Sequence, residues 1–277
     1  LGHFTLDDNL IYYISHDKKN ILSLLACNVK TGEIIWQCNS KVEDIASINL
    51  TPPTLIGKSN ISWVKGNSIL LVNRITGEKI WERFLANENV LSSAKSNNSA
   101  VFIAGNHGLY SFDIKSGRAQ IQNAYDCETC IKSPVFLEVI ENECYISLSL
   151  ADGTSRLICF DLDCKVKWDK RAPRVTHLYS LNDQLLIRCQ YVYSINKSTG
   201  DPEWCYKAKG CSPLNVCDNM IVFVDQKENG KLTALELKTG AKIWELKGFH
   251  SCNEFLKVEH KGFLKTADGV LHEILFG

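Results

Sequence analysis

No surplus of either charge marks this chain: 31 lysines and arginines offset 31 aspartates and glutamates across 277 residues. A neutral chain has no global field to draw it onto nucleic acid or an anionic membrane, because both attractions rest on a basic excess. The one basic cluster is Lys165, Lys167, Lys170, Arg171 and Arg174. It has no interleaved aromatics and no basic helix around it, so it reads as solvated strand and turn charge. Nothing approaches the ~18 consecutive apolar residues of a transmembrane helix. The opening residues, Leu1 to Asp8, lack the charged and apolar regions of a signal peptide. The first residue is not Met, which leaves an upstream segment open. Absent too are a Gly-rich phosphate loop, a Gly-x-Ser-x-Gly elbow and a His-Glu-x-x-His pair, which removes three familiar enzyme chemistries. The seven histidines are scattered without a close pair at ligand spacing. No long segment shows clean helical periodicity.

What is abundant is cysteine, with twelve residues. Several sit inside apolar strand patterns, such as Cys27 after Ser-Leu-Leu-Ala and Cys159 between Ile158 and Phe160. There a thiol acts as a small hydrophobe. Mostly free thiols and a reducing, cytoplasmic compartment are the expectation. Cys127-Glu-Thr-Cys130 is the tempting local motif. Ile131 stands where haem attachment needs His, no second Cys pair follows at zinc-ribbon spacing, and no βαβ setting surrounds it. Incidental thiols, a disulfide and a metal or redox site all stay open for this pair.

The dominant feature is an internal repeat. Asn28-Val-Lys-Thr-Gly32-Glu-Ile-Ile-Trp36 recurs as Asn73-Arg-Ile-Thr-Gly77-Glu-Lys-Ile-Trp81. It returns at Asp113–Ile121 around Gly117, at Asn196–Trp204 around Gly200, and at Glu236–Trp244 around Gly240. A degenerate copy, Asp161 to Trp168, has a turn one residue shorter. Positions 36, 81, 121, 168, 204 and 244 are spaced by 45, 40, 47, 36 and 40 residues. A period near ~40 fits one four-stranded propeller blade. Within the third repeat, Val90–Ala94, Ala100–Ala104, Gly108–Asp113 and Arg118–Ile121 read as four strands separated by Asn97-Asn98, Gly105-Asn106 and Ser116-Gly117.

Each repeated position has a physical task. The glycine supplies the positive φ of a tight turn between third and fourth strands. The Asx or Glu three residues before the Thr can bond the turn's own backbone. The outer-strand tryptophans Trp36, Trp81, Trp168, Trp204 and Trp244 suit the seams between blades. Ile121 takes that slot in the third repeat, so its seam should be the weakest. Six motif copies plus three strands after Glu254 predict an all-β, single β-propeller domain over 1–277. Seven blades are expected, with six or eight as alternatives.

The element Leu232-Thr-Ala-Leu-Glu-Leu-Lys-Thr-Gly-Ala-Lys-Ile-Trp244 resembles the repeat of the pyrroloquinoline-quinone-like (PQQ-like) propellers, with their tryptophan-docking motif. The resemblance runs through six copies and so covers nearly the whole chain. It implies the fold and three possible roles: quinone- and calcium-dependent dehydrogenase, docking platform for outer-membrane assembly, or non-catalytic interaction module. Fold alone does not choose among them. The vicinal Cys-Cys pair frequent in the dehydrogenases does not occur here, and little chain is left to roof a quinone site. No cofactor and no metal are expected.

The leading expectation is therefore a non-enzymatic scaffold, monomeric on its own, that recognises one protein partner. A bacterial inhibitor or immunity protein, or the propeller domain of a larger regulatory protein, would fit. A small quinoprotein, a sugar-binding propeller and an outer-membrane-assembly docking protein are the alternatives. The inter-blade loops (84–89, 123–133, 169–174, 206–212 and 247–253) carry Phe84, Tyr125, Tyr206 and Phe249, aromatics without an evident strand partner. Such anchors in a polar ring suit an interface hot spot.

Overall fold

Short runs of β-branched and aromatic residues punctuated by Gly, Asn and Asp build strands here, and every named element among the described residues is a strand. In the computed structural model the described residues are 4–17, 21–41, 51–86, 90, 92–124, 136–181, 183–189, 191–208, 211–212, 214–225, 230–248, 252–258, 261–266 and 270–275. Sheet one joins β1 (Phe4–Asp7), β2 (Leu10–His16), β3 (Ile21–Asn28) and β4 (Ile34–Lys41). Sheet two holds β5 (Thr54–Ile56), β6 (Asn60–Lys65), β7 (Ser68–Asn73) and β8 (Lys79–Phe84). Sheet three holds β9 (Lys95–Ser96), β10 (Ala100–Ala104), β11 (Gly108–Asp113) and β12 (Ala119–Ala124). Sheet four has β13 (Phe136–Ile140), β14 (Glu143–Ser149), β15 (Ser155–Asp161) and β16 (Val166–Ala172). Sheet five has β17 (His177–Leu181), β18 (Gln184–Arg188), β19 (Val192–Asn196) and β20 (Pro202–Tyr206). Sheet six has β21 (Asn215–Cys217), β22 (Met220–Asp225), β23 (Lys231–Glu236) and β24 (Lys242–Leu246). Sheet seven carries three described strands, β25 (Cys252–Val258), β26 (Lys261–Thr266) and β27 (Leu271–Leu275).

Every sheet is antiparallel with its strands in sequence order, the pattern of propeller blades. The chain is an all-β propeller. It divides into two compact units, one of 1–152 with 156–169 and one of 153–155 with 170–277. Within the first unit the cores lie between consecutive sheets: Leu22, Leu24, Ile61 and Trp63 join sheets one and two, and Ile69, Leu71, Val101 and Ile103 join two and three. In the second unit Leu186, Val192, Ile221 and Phe223 do the same for sheets five and six. Among the described residues no helix is long and apolar enough to cross a membrane.

The repeat motif works as a hairpin turn and as a seam at once. Asn73 Oδ1 accepts from the N–H of Ile75 and Thr76 at 2.9 and 3.0 Å, and the Thr76 hydroxyl accepts from Glu78 N–H at 3.3 Å. Gly77 N–H then closes on the Asn73 carbonyl at 2.9 Å with φ +74. Gly32, Gly117, Gly200 and Gly240 have φ of 72, 64, 74 and 68 and close on Asn28, Asp113, Asn196 and Glu236 in the same way. The residue after each Asx or Glu donates its N–H to the first turn of its own sheet: Arg74 to Ser59, Ile114 to Ser99, Leu237 to Asn219, at 2.9, 3.0 and 2.9 Å. The carbonyl of that same residue accepts the indole N–H of the preceding sheet: Trp36 to Arg74 at 2.9 Å, Trp81 to Ile114 at 2.8 Å and Trp204 to Leu237 at 3.2 Å. The rings lie directly on the glycines. A Cβ on Gly77, Gly117 or Gly240 would meet Trp36, Trp81 or Trp204 at 2.6, 2.6 and 2.5 Å.

Two local departures from the expected strands have clear causes. Val90–Ala94 does not form a strand: Val90 makes one isolated bridge to Gly105 and the strand shrinks to Lys95–Ser96. Between them Ser92 Oγ accepts the Ala104 N–H at 2.8 Å, a side chain taking the place of a ladder bond. In sheet four the shortened turn puts Cys164, at φ +55, where the other copies have glycine.

Candidate partner-docking surface

The end of each sheet opposite the Asx–Gly turn gathers the last residues of the second and fourth strands. Phe84 closes β8 there and is 70% exposed, with its neighbour Leu85 tied by an N–H bond to Asn67 carbonyl at 2.9 Å. Tyr206 closes β20, but its ring packs edge-on against Phe223 of sheet six at 5.9 Å and adds to that core. Phe84 and Tyr206 thus both end outer strands, one open to solvent and one folded onto the next sheet. Tyr125 and Phe249, with Cys127 and Cys130, lie outside the described residues.

The same ends hold polar groups that periodicity does not reveal. Lys65 ends β6 and is almost wholly buried between sheets one and two. Its ammonium meets Glu82 at 2.6 Å, bonds the Ser40 hydroxyl and stands 5.6 Å from the Trp63 ring centre. Burial draws the Glu82 carboxyl upward, but Lys65 and Lys79 outweigh it and leave the group below its ordinary value. Burial likewise raises the nearby Cys38 thiol. In sheet five Arg188 donates to His177 Nδ1 at 3.0 Å and also bonds the Cys211 carbonyl, while His177 stacks on Tyr179 at 6.1 Å. Burial first, and Arg188 second, hold His177 below the usual imidazole range. Lys95 on β9 meets Glu138 on β13 at 2.9 Å.

The basic cluster is largely neutralised. Lys165 stands 3.9 Å from Asp163, Lys167 pairs with Glu143, and Lys170 meets Asp201 at 2.8 Å. Nine described cysteines are thiols outside any disulfide, and Cys205 alone of these is exposed. Among the described residues no three His, Cys, Asp or Glu side chains gather as a metal group would require.

A hydroxyl signal also went unread in the sequence. Ser212 Oγ accepts the Val224 N–H at 2.9 Å, repeating the Ser92 contact in sheet six. Thr51, Ser92, Ser133 and Ser212 each stand three residues before a first strand. That recurring Ser or Thr was the available clue.

Repeated antiparallel sheets with indole-on-glycine seams define the class: a PQQ-like repeat propeller. Residues 1–163 and 182–259 match the sequence profile of the family described as outer membrane protein assembly factor BamB, and the chain belongs to that family. Among solved structures, BamB from Moraxella catarrhalis is similar at TM-score 0.68 and 16% identity, over 98% of this chain and 83% of that one. The C-terminal WD40 domain of Sif2 is similar at TM-score 0.69 and 13% identity, over 98% and 79%. The computationally designed Ika8 protein reaches TM-score 0.53 at 12% identity, over 99% and 95%. At these identities the likeness concerns the fold alone. No curated protein matches the sequence.

Proposed function

We propose that this propeller is a non-enzymatic scaffold that docks one protein partner at the sheet ends opposite the Asx–Gly turns. The observation that carries the reading is Phe84, a large apolar ring left 70% exposed at the close of an outer strand. An exposed aromatic ring is a common form of interface anchor. Family membership supports a docking role, and the Trp–Gly contacts support reading the repeat as a tryptophan-docking motif whose task is structural. An outer-membrane-assembly setting is the second reading, favoured by the description of the matched family. A cytoplasmic setting rests only on the cysteine content.

Affinity capture from the native cell, with mass spectrometry of what stays bound, tests this reading. One stoichiometric partner is expected, lost when Phe84, Tyr125, Tyr206 and Phe249 are replaced together by Ala. Reconstitution with calcium and the quinone, followed by dye-linked oxidation, tests the rival; turnover there would sink the scaffold reading.

A further inference from the structure

We infer that His177 and Arg188 form a proton-operated latch on the seam between sheets five and six. It is closed while the imidazole is neutral and opens when the ring takes a proton. The latch concerns the fold itself, so it stands whether or not the scaffold reading does.

Strand register shows how unusual the place of Arg188 is. In sheet two Trp81 lies opposite Leu71, and Leu71 opposite Ser62. In sheet five Trp204 lies opposite Ser194, and Ser194 opposite Leu186. Arg188, two residues after Leu186, therefore holds the place that Val64 has in sheet two. Val64 is buried in the apolar seam with the following sheet. Sheet five puts a guanidinium there instead, and neutral acceptors hold it. One Nη donates to His177 Nδ1 at 3.0 Å, and the other to the carbonyl of Cys211, which bridges Asp225 on the sheet-six side of the seam. The buried Nε–H has no acceptor among the described residues.

Only one protonation state of His177 permits this contact. A guanidinium donates but cannot accept, and it keeps its charge. His177 Nδ1 must therefore be the acceptor, and the ring proton must sit on Nε2. An imidazolium donates from both nitrogens. Uptake of a proton from solvent thus removes the acceptor and leaves two cations in contact.

Charged and titratable groups meet the pair from both sheets. Tyr179 stacks on His177 at 6.1 Å, and its hydroxyl accepts the Leu214 N–H at 3.3 Å. Burial raises the Cys211 thiol, Asp225 adds to the rise, and Arg188 opposes it. The guanidinium and the Asp225 carboxylate thus both stand near Cys211. Protonation of His177 turns one cation against that carboxylate into two. Burial and then Arg188 hold the ring below its ordinary 6.5. Its share of stability is complete above 6.5 and is lost as pH falls through the lower folded value.

The test titrates the intact chain and follows its histidine rings by NMR, with the His177 signal assigned by its absence from His177→Gln. A midpoint below that of a free imidazole is expected, and Arg188→Gln should move it upward. Glutamine at 177 keeps an oxygen for Arg188 but takes no proton, so it isolates the switch. Hydrogen exchange at about pH 7.5 and about pH 5.5, corrected for the intrinsic rate, supplies the second readout. Across β21 and β22 the unmodified chain should lose about fivefold or more of its protection at the lower pH, and His177→Gln should keep it. A His177 midpoint at or above the ordinary value would overturn the latch, as would one unmoved by Arg188→Gln. Equal losses of protection in the unmodified chain and His177→Gln would overturn it as well. Should Arg188→Gln fail to fold, the comparison with His177→Gln decides alone.

Discussion

Between sheets two and three an indole lies on a glycine; in the next copy of the motif both members have changed together. Ile121 stands in the tryptophan slot of sheet three, and Cys164 stands in the glycine slot of sheet four. Gly117 is required twice over, once by its φ of +64 and once by the Trp81 ring that a Cβ would strike at 2.6 Å. At Cys164 only the first demand remains. The chain accepts a left-handed cysteine there, at a conformational cost of about 1–2 kcal/mol, and the side chain is fully buried in the core of sheets three and four. Burial, more than the neighbouring Asp161, pushes its thiol up to about 11. The comparison separates two reasons for a glycine that coincide at Gly77, Gly117 and Gly240: backbone freedom and room for a neighbour.

The largest effect expected from breaking this contrast is at the ring. Trp81→Ala should lose about 3–5 kcal/mol in denaturant unfolding, as buried aromatics do when truncated. Next comes Gly117→Ala, which adds a methyl group against that ring and should cost about 1–3 kcal/mol beyond the backbone strain. In the Trp81→Ala background the overpacking part should vanish, so the double mutant reads the two demands separately. Cys164→Gly should fall within about 1 kcal/mol of neutral, because the relief of φ opposes the loss of buried volume. A Cys164→Gly loss as large as that of Gly117→Ala would show that the two turns are not equivalent positions.

A smaller effect concerns the seam of sheets one and two, which adds a buried ion pair to its indole. Glu82 is held below its ordinary 4.5 in the folded chain, its burial outweighed by Lys65 and Lys79. Its contribution is therefore present above pH 4.5 and is lost as pH falls through the folded value. Lys65→Met should shrink that acid-side loss, measured as the midpoint of urea unfolding between about pH 6 and pH 3. Least of all, thiol labelling should leave the fold untouched. Cys205 should react first of the nine described thiols, while Cys159, Cys164 and Cys211, held by burial near 12, 11 and 12, react only on unfolding. Peptide mapping of the labelled cysteines checks the order.

The features legible in the sequence were the local ones. An Asx, a Thr and a Gly within five residues fix their own turn, so Asn73, Thr76 and Gly77 announced it without reference to the rest of the chain. The short turn at Cys164 was visible as a shortening, but the burial of its side chain was not, because that depends on what the neighbouring sheet delivers. Lys65 gave no sign of burial, since a lysine at a strand end is ordinarily solvated and only Glu82, far along the chain, changes that. His177 and Arg188 are brought together by pairing of β17 with β18 and were indistinguishable from scattered surface residues. Phe84 and Tyr206 look alike in sequence; Phe223 on the neighbouring sheet covers one of them, and among the described residues nothing comparable covers the other.

The double use of one peptide unit gives the fold a direction. Arg74 holds the first turn of its own sheet with its N–H and the tryptophan of the sheet before it with its carbonyl. Ile114 repeats the arrangement one sheet later. Loosening the turn at Asn73–Gly77 therefore releases Trp36 behind it, while the grip of Trp81 on the sheet ahead survives. Within this unit, local opening should spread toward the amino terminus and stall in the other direction, as in a row of tiles where each overlaps only its predecessor.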